Sequence, residues 1–400
     1  MKLKQTQIDR VMKKRIFVLG HWMRIDGVAT SLLGLLTELD YSEVQVDLML
    51  MSAEGELLNE IPKEVKLLST PPAVEHYWRG RGIISLLVSK VAIYLAGCWY
   101  RLIKRQKIDP YGLFLIKGFL FNFILPRKIV DTSYDLALFF SCQPFLTSRV
   151  NARKKLVWVH SDWGRFCPIK CLMNIGFGKS DYIVNVSSDA KYSFDRYLSN
   201  ENKLKSIVIE NCMSQRRIIQ QEKEFIVESN SGWKILSVGR ISTPKNYFRA
   251  LEAAKILIER GVAFMWIIVG DGELFTTLKR AVEDANLTNC FQLVGQKVNP
   301  YPYYRWCDCL VCTSDWEGKS VAVREAQMLA KPVVVTKFPT AASQVEDGVD
   351  GLLVDLTPEA VANGIMKLRE DCVLRDYLSN NCQHRDYTKR SEITKILALC

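Results

Sequence analysis

The stretch "CLVCTSDWEGKSVAVREAQMLAKPVVVT", residues 309–336, contains an apolar strand, a polar loop, an amphipathic helix and a second apolar strand. Short β-rich runs separated by a helix predict parallel strands that are joined by a crossover helix. We expect the helix over residues 321–329, with Ser320 as its N-cap and Pro332 just beyond its end. The stretch therefore indicates an α/β fold with a parallel sheet.

The same alternation runs through the whole chain in two series, separated by the polar segment 213–232. A chain of 400 residues is also too long for one ordinary core. We predict two doubly wound, Rossmann-like domains that face each other across a cleft. They are an N-terminal domain (1–212) and a C-terminal domain (233–385), joined by a linker (213–232) and followed by a helix (386–400) that packs back on the first domain. The predicted strands are residues 16–19, 43–51, 65–69, 135–141, 155–163, 181–188, 205–213, 233–242, 264–273, 290–296, 309–315, 332–336 and 351–355.

Two carboxylates flank the start of the helix predicted at 321–329. The first amides of a helix lack intrahelical partners and carry partial positive charge, so they suit a phosphate. Gly318 permits a close approach of backbone and ligand. Glu317 and Glu325 could then accept hydrogen bonds from two different polyol groups, which describes a sugar–nucleotide pocket. The alternative is a solvent-facing glutamate in a loop and another in a helix.

A second loop supplies positive charge. Arg240 and Lys245 lie five residues apart, between a predicted strand and the helix after it. Such a pair can neutralise a diphosphate without a metal ion, although solvated surface charge is the common alternative. Gly270 and Gly295 follow the next two strands, where backbone groups can contact a nucleotide base.

In motif order these segments resemble the C-terminal domain of family 4 (group 1) retaining glycosyltransferases, which have the GT-B fold. The similarity covers residues 233–370 and includes "SVGR…PKN", "IIVGDGE", "EGKSVAVREAQMLAKPVVVT" and "VEDGVDGLLV". Glu317 and Glu325 match the E-x7-E signature of the family. "DGVATSLLGLLTELD" and "KLVWVHSDW" in the N-terminal half resemble bacterial members more loosely.

The resemblance implies a retaining, metal-independent transfer of a sugar from a nucleotide diphosphate donor, without a cofactor, in bacterial surface-polysaccharide assembly. A nucleotide-sugar epimerase of the same fold and a non-catalytic membrane-docking scaffold are the alternatives. Three features depart from the family: "DG" stands for the Gly-Gly often found in the first loop, Lys319 stands where aromatic or small apolar residues are often found, and "FPTAASQVEDG" (338–348) lacks the glycines seen in many members. By resemblance the donor would be bound by Gly27, Arg240, Lys245, Gly270, Gly295, Gly318, Lys319, Ser320, Val321 and Glu325. The residues expected at the reacting sugar are Glu317, His160 and Asp162.

Positive charge is concentrated in the N-terminal half, which has a net charge of +10 against +1 for residues 213–400. Residues 77–128 contain ten Lys/Arg, one acidic residue and many apolar side chains. This pattern favours an anionic membrane surface over nucleic acid, for which no motif is present. For residues 83–103 we consider interfacial docking, ordinary core helices and a membrane span.

The twelve cysteines have no regular spacing, and no signal peptide is apparent. We therefore expect reduced thiols and a cytoplasmic protein on the inner face of the cell membrane. In "CDCLVC" (307–312) core packing is favoured over a metal site. Alternation along a strand would place Cys307 and Cys309 on one face and Cys312 on the other.

Overall fold

The computed structural model describes residues 13–79, 83–99, 110–141, 143–160, 169–227 and 232–400. This part of the chain contains thirteen strands, which correspond to the thirteen predicted from the sequence. Their ends differ by a few residues: the strand predicted at 155–163 lies at Asn151–Val159. The strands are β1 (Lys14–Gly20), β2 (Val44–Leu50), β3 (Lys66–Leu68), β4 (Ser133–Phe139), β5 (Asn151–Val159), β6 (Tyr182–Asn185), β7 (Ser206–Val208), β8 (Trp233–Val238), β9 (Phe264–Val269), β10 (Phe291–Leu293), β11 (Cys309–Cys312), β12 (Val333–Thr336) and β13 (Leu352–Val354).

Helices cover both faces of each sheet, so each domain has an apolar core on either side of its strands. The helix predicted at 321–329 is present, and a short helix also lies inside the predicted linker 213–232. The described helices are α1 (Gly27–Glu38), α2 (Pro72–Arg79), α3 (Ile83–Trp99), α4 (Pro110–Phe121), α5 (Lys170–Phe177), α6 (Ser188–Asp195), α7 (Asn200–Leu204), α8 (Gln215–Gln221), α9 (Tyr247–Glu259), α10 (Phe275–Asp284), α11 (Tyr301–Trp306), α12 (Val321–Met328), α13 (Pro358–Glu370), α14 (Cys372–His384) and α15 (Ser391–Ala398).

Both sheets are parallel and doubly wound. The N-terminal sheet has the order β3-β2-β1-β4-β5-β6-β7, and the C-terminal sheet has the order β10-β9-β8-β11-β12-β13. The direction of winding reverses between β1 and β4 in the first sheet and between β8 and β11 in the second. Ligands of such sheets bind at the carboxyl ends of the strands at this switch point. The loops after β1, β8 and β11 are therefore placed to form a site.

The C-terminal helix α15 packs on the N-terminal domain. Its Ile393 and Ile396 are buried in the core that also contains Ile16 of β1. Lys14 Nζ donates to the Leu397 carbonyl at 2.9 Å. Where the chain crosses between the domains, the Met213 amide donates to the Thr388 carbonyl at 2.9 Å. The two segments that pass between the domains, one at Met213 and one at Thr388, therefore lie side by side.

The cysteines around β11 pack in the apolar cores, but not with the predicted facing. Cys309 lies in one core of the C-terminal domain, and Cys307 and Cys312 lie in the other. The prediction that Cys307 and Cys309 share a face is wrong because Cys307 is not in the strand. It ends helix α11, and β11 begins two residues later.

Helix α3 presents apolar side chains to solvent. Ile83, Leu86, Leu87 and Tyr94 have exposed fractions of 55% to 77%, while Ala92 on the opposite side is buried. Within the described residues, none of the helices combines the length and the apolar character that a membrane span requires. The described part of α3 ends at Trp99, so the end of the segment predicted at 83–103 lies outside the described residues.

Candidate active site

A cleft of about 780 Å³ lies between the two domains, at the switch points of both sheets. The N-terminal domain contributes the loop after β1 and the start of α1, and the C-terminal domain contributes the loops after β8, β9, β10 and β11. Most residues predicted for the site meet here, although they are far apart in sequence. The predicted residues that line the cleft are Gly27, Arg240, Lys245, Gly270, Glu317, Lys319, Val321 and Glu325.

Glu317 and Lys245 form an ion pair in the cleft. Lys245 Nζ lies 2.7 Å from Glu317 Oε1, and the Ser314 hydroxyl donates to the same oxygen at 2.6 Å. Burial alone would lower the pKa of Lys245, but the Glu317 carboxylate more than offsets this, and the pKa is raised. The Lys245 ammonium therefore stays charged. A diphosphate that binds Lys245 has to compete with Glu317.

Glu325 is buried, and its carboxylate is held by two tyrosine hydroxyls. Tyr301 donates to Oε1 at 2.9 Å and Tyr304 donates to Oε2 at 2.7 Å. Burial raises the pKa of Glu325, and the two tyrosine hydrogen bonds partly oppose that shift. Sequence reasoning missed both tyrosines. The cluster "YPYYRW" (301–306) was the available signal, but no spacing rule connects it to a carboxylate twenty-one residues away.

The N-terminus of α12 is less open than the sequence suggests. Ser320 occupies the N-cap position, but its hydroxyl is buried and makes no capping hydrogen bond. Its amide donates to Gln344 Oε1 at 2.8 Å, and Gln344 Nε2 donates back to the Ser320 carbonyl at 2.6 Å. This corrects the expectation that the Ser320 amide is available to a phosphate. Neither Ser320 nor Gly318 lines the cleft, whereas Val321 does.

Gly27 lies where the N-terminal domain approaches the start of α12 in the cleft. A Cβ built on Gly27 would lie 3.3 Å from Val321 Cγ2 of the opposite domain. Asp26 caps α1 by accepting from the amides of Val28 and Ala29, and it also accepts from Trp22 Nε1 at 2.7 Å. Because of this cap, α1 begins at Gly27.

The glycines after β9 and β10 join the strand ends to each other. The Gly270 amide donates to the Gly295 carbonyl at 3.0 Å. A Cβ on Gly270 would lie 1.9 Å from the Gly239 carbonyl oxygen, so no side chain fits there. Gly270 lines the cleft, whereas the loop after β10 reaches it through Gln296 and Lys297, not through Gly295.

His160 follows β5 and does not line the cleft. Its Nε2–H donates to the Phe140 carbonyl at 2.7 Å, and its ring packs against the Phe140 ring with centroids 4.7 Å apart. Burial lowers the pKa of His160 to about 4, and burial together with the nearby His160 lowers the pKa of His21 to about 4. Asp162, predicted beside His160, lies outside the described residues.

Lys319 connects the loop after β11 to the segment that leaves the N-terminal domain. Its Nζ lies 2.7 Å from Glu210 Oε2. Burial lowers the pKa of Lys319, while the Glu210 carboxylate opposes that shift. The ammonium at this position is therefore partly neutralised by a carboxylate of the N-terminal domain, which the sequence did not indicate.

The fold and this cleft define a two-domain protein of the GT-B class, as predicted. The structure of Anabaena HepE in complex with UDP-glucose superposes with a TM-score of 0.65 over 96% of this chain and 99% of that chain, at 16% sequence identity. At that identity the similarity establishes the fold alone. Residues 219–385 match the family "Glycosyl transferases group 1". The match includes all of residues 233–370, over which the sequence motifs resemble that family, and it confirms the resemblance for this domain.

Curated relatives match part of this chain. One is the UDP-Gal:alpha-D-GlcNAc-diphosphoundecaprenol alpha-1,3-galactosyltransferase of Escherichia coli, which is 32% identical over 41% of this chain and 43% of its own length. Another is the N-acetylgalactosamine-N,N'-diacetylbacillosaminyl-diphospho-undecaprenol 4-alpha-N-acetylgalactosaminyltransferase of Campylobacter jejuni, 27% identical over 54% of this chain and 58% of its own length. The chain thus spans about half the length of the curated relatives that it matches.

Proposed function

We propose that this protein transfers a sugar from a nucleoside diphosphate sugar to a lipid-linked glycan acceptor, with retention of configuration and without a bound metal. The observation that carries the proposal is the cleft at the two switch points. There Glu317 precedes α12 and Glu325 lies within it, and both line the cleft together with the basic residues Arg240 and Lys245. Two curated relatives are named for transfer to diphosphoundecaprenol-linked sugars, which supports this acceptor class.

In the proposed reaction the bond between the anomeric carbon of the sugar and the diphosphate oxygen breaks, and negative charge develops on the leaving diphosphate. An acceptor hydroxyl oxygen bonds to the anomeric carbon on the same face, and its proton passes to the leaving diphosphate. Arg240 and Lys245 stabilise that charge, because fixed cations in a partly buried cleft cost little reorganisation as the reaction proceeds. Glu317 accepts hydrogen bonds from the transferred sugar, which acquires oxocarbenium character. Glu325 accepts hydrogen bonds from the ribose hydroxyls.

The acceptor would reach the cleft from an anionic membrane surface on its cytoplasmic face. Helix α3 presents exposed apolar side chains that would contact this membrane surface, and Lys90 lies exposed on the same helix. Apolar side chains interleaved with lysine and arginine favour interfacial binding to anionic lipid. This is the alternative for residues 83–103 that we propose.

Binding of nucleoside diphosphates, followed by thermal shift in the presence of EDTA, tests the donor site. We expect one nucleotide of a panel that includes UDP, GDP and ADP to raise the Tm of the wild type. Glu325→Ala and Lys245→Ala should lose most of that shift, because each removes a direct ligand contact. Lys255→Ala on the outer surface of α9 is the matched control and should keep it. A panel without any response would contradict the proposed donor site.

A further inference from the structure

The carboxylate of Glu325 is the end of a chain of hydrogen bonds that crosses the domain boundary. Tyr301 donates to Glu325 and accepts from Arg217 Nη1 at 3.0 Å. The guanidinium of Arg217 also lies over the Tyr301 ring, 5.6 Å from its centroid. Arg217 Nε then donates to Glu60 Oε2 at 2.9 Å. Glu60 belongs to the N-terminal domain, and Arg217 belongs to α8 between the domains.

The direction of each hydrogen bond in this chain is fixed by its chemistry. A tyrosine hydroxyl has one proton, and a guanidinium can only donate. Since Arg217 donates to the Tyr301 oxygen, the single Tyr301 proton is left for Glu325. Hydrogen bonds in a buried series also polarise one another, so Arg217 strengthens the bond that Tyr301 gives to Glu325.

Glu60 fixes Arg217 from the opposite domain. Its Oε2 accepts from Arg217 Nε and from Gln221 Nε2 at 2.8 Å, both on α8. The Arg217 and Glu60 side chains are only 12% and 21% exposed, so this ion pair is better shielded from water than a surface pair. Neither residue lines the cleft. Any effect of Glu60 on the ligand therefore has to pass through this chain of contacts or through the position of the domain.

We propose that Tyr301 and Tyr304 are positioning residues for Glu325, and that the Arg217–Glu60 pair makes recognition of the ribose hydroxyls depend on the N-terminal domain. The inference rests on the proposed function only in assigning the ribose hydroxyls to Glu325. It adds a specific dependence: the C-terminal domain presents Glu325 in its binding orientation when the N-terminal domain occupies the position seen here.

Two ligands that differ only in the ribose hydroxyls test this inference on the full chain. The dissociation constants of UDP and 2′,3′-dideoxy-UDP are measured by titration calorimetry, and their ratio is compared among variants. If the panel above selects another base, its diphosphate and the dideoxy analogue are used. We expect Tyr301→Phe, Tyr304→Phe and Glu60→Gln each to weaken binding of the ribonucleotide by about fivefold, the worth of one hydrogen bond. Binding of the dideoxy analogue should change by less than about twofold, because the other ligand contacts remain.

Glu64→Gln is the matched control, because Glu64 is an exposed glutamate four residues beyond Glu60. It should leave both dissociation constants unchanged. Glu325→Ala should abolish the preference for the ribonucleotide. If it does so while Glu60→Gln leaves the ratio unchanged, the inference is wrong and the proposed donor site stands. If Glu325→Ala itself leaves the ratio unchanged, the assignment of ribose to Glu325 fails.

If the tyrosine and Glu60 variants lose affinity for both ligands equally, these residues act only through the stability of the fold. That result would overturn the inference. Circular dichroism of each variant accompanies the titrations. Should Tyr301→Phe fail to fold, Glu60→Gln still decides the question, since it removes a partly exposed charge and no core volume.

Discussion

At the scale of single residues, the cleft depends on backbone contacts that tolerate no side chain. Gly270 is the clearest case, because a Cβ there would overlap the Gly239 carbonyl oxygen. We expect Gly270→Ala to lower the free energy of unfolding by about 3 kcal/mol, since the ends of β8 and β9 would have to separate. Gly97→Ala is the matched control: a Cβ on Gly97 meets nothing within 4 Å, and alanine favours a helix by about 0.5–1 kcal/mol. Equal effects of the two in urea unfolding would contradict the close approach at Gly270.

The partly buried histidines His21 and His160 give a second prediction at this scale, on acid stability. The pKa values of His21 and His160 are lowered to about 4 by burial, whereas the ordinary value is 6.5. Between these values the unfolded chain binds protons that the folded chain does not. The contribution of the two neutral histidines to the free energy of unfolding should therefore be fully present above pH 6.5. It should be lost progressively as the pH is lowered towards 4.

His160→Gln should reduce that fall, because glutamine does not titrate. Urea unfolding of the wild type and the variant, measured at pH 7.0, 5.5 and 4.5, gives the difference between the two at each pH. The difference cancels the carboxylates that titrate in both proteins. Exposed His384→Gln is the control and should follow the wild type. If the difference between wild type and variant stays constant with pH, His160 does not contribute to the pH dependence of the free energy of unfolding.

At the scale of elements, helix α3 carries the surface proposed to bind membranes. Leu86→Gln with Leu87→Gln should reduce flotation with liposomes, because two exposed apolar side chains are removed from the interface. Lys90→Glu should reduce flotation with anionic liposomes more than with neutral ones. Leu204→Gln is the matched control, since Leu204 is 87% exposed on α7. If flotation is the same with anionic and neutral liposomes and in all of these variants, the proposal that α3 binds membranes is wrong.

The elements are also where the sequence was most informative. Strands such as β8 and β9 were predicted because parallel strands buried on both faces read as short apolar runs. The ends of the strands were predicted less accurately, because apolar and glycine residues also occur in the loops that follow the strands. Contacts such as Glu325 with Tyr304, or Lys319 with Glu210, were not predicted at all. They join side chains whose proximity arises only from the tertiary fold, so no local pattern indicates them.

At the scale of the whole molecule, the N-terminal core is completed by residues from the other end of the described chain. Ile396 of α15 is buried there with Ile16 and Leu36. We expect Ile396→Ala to lower the free energy of unfolding of the N-terminal domain by about 2–4 kcal/mol, the cost of a buried large-to-small change. Ile226→Ala is the control, because Ile226 is 90% exposed, and it should cost under about 0.5 kcal/mol. The measurement is urea unfolding followed by the fluorescence of buried Trp158. An unchanged transition for Ile396→Ala would contradict the packing of α15.

This return of α15 has a consequence for how the protein is made. The ribosome completes the last N-terminal strand, β7, at Val208, but Ile393 and Ile396 are added only after the entire C-terminal domain. At roughly 5–20 residues per second, that delay is on the order of 10–40 s. During this delay the nascent N-terminal domain exposes the apolar surface that α15 covers in the complete fold. The N-terminal core can therefore close around Ile393 and Ile396 only after α15 has been synthesised.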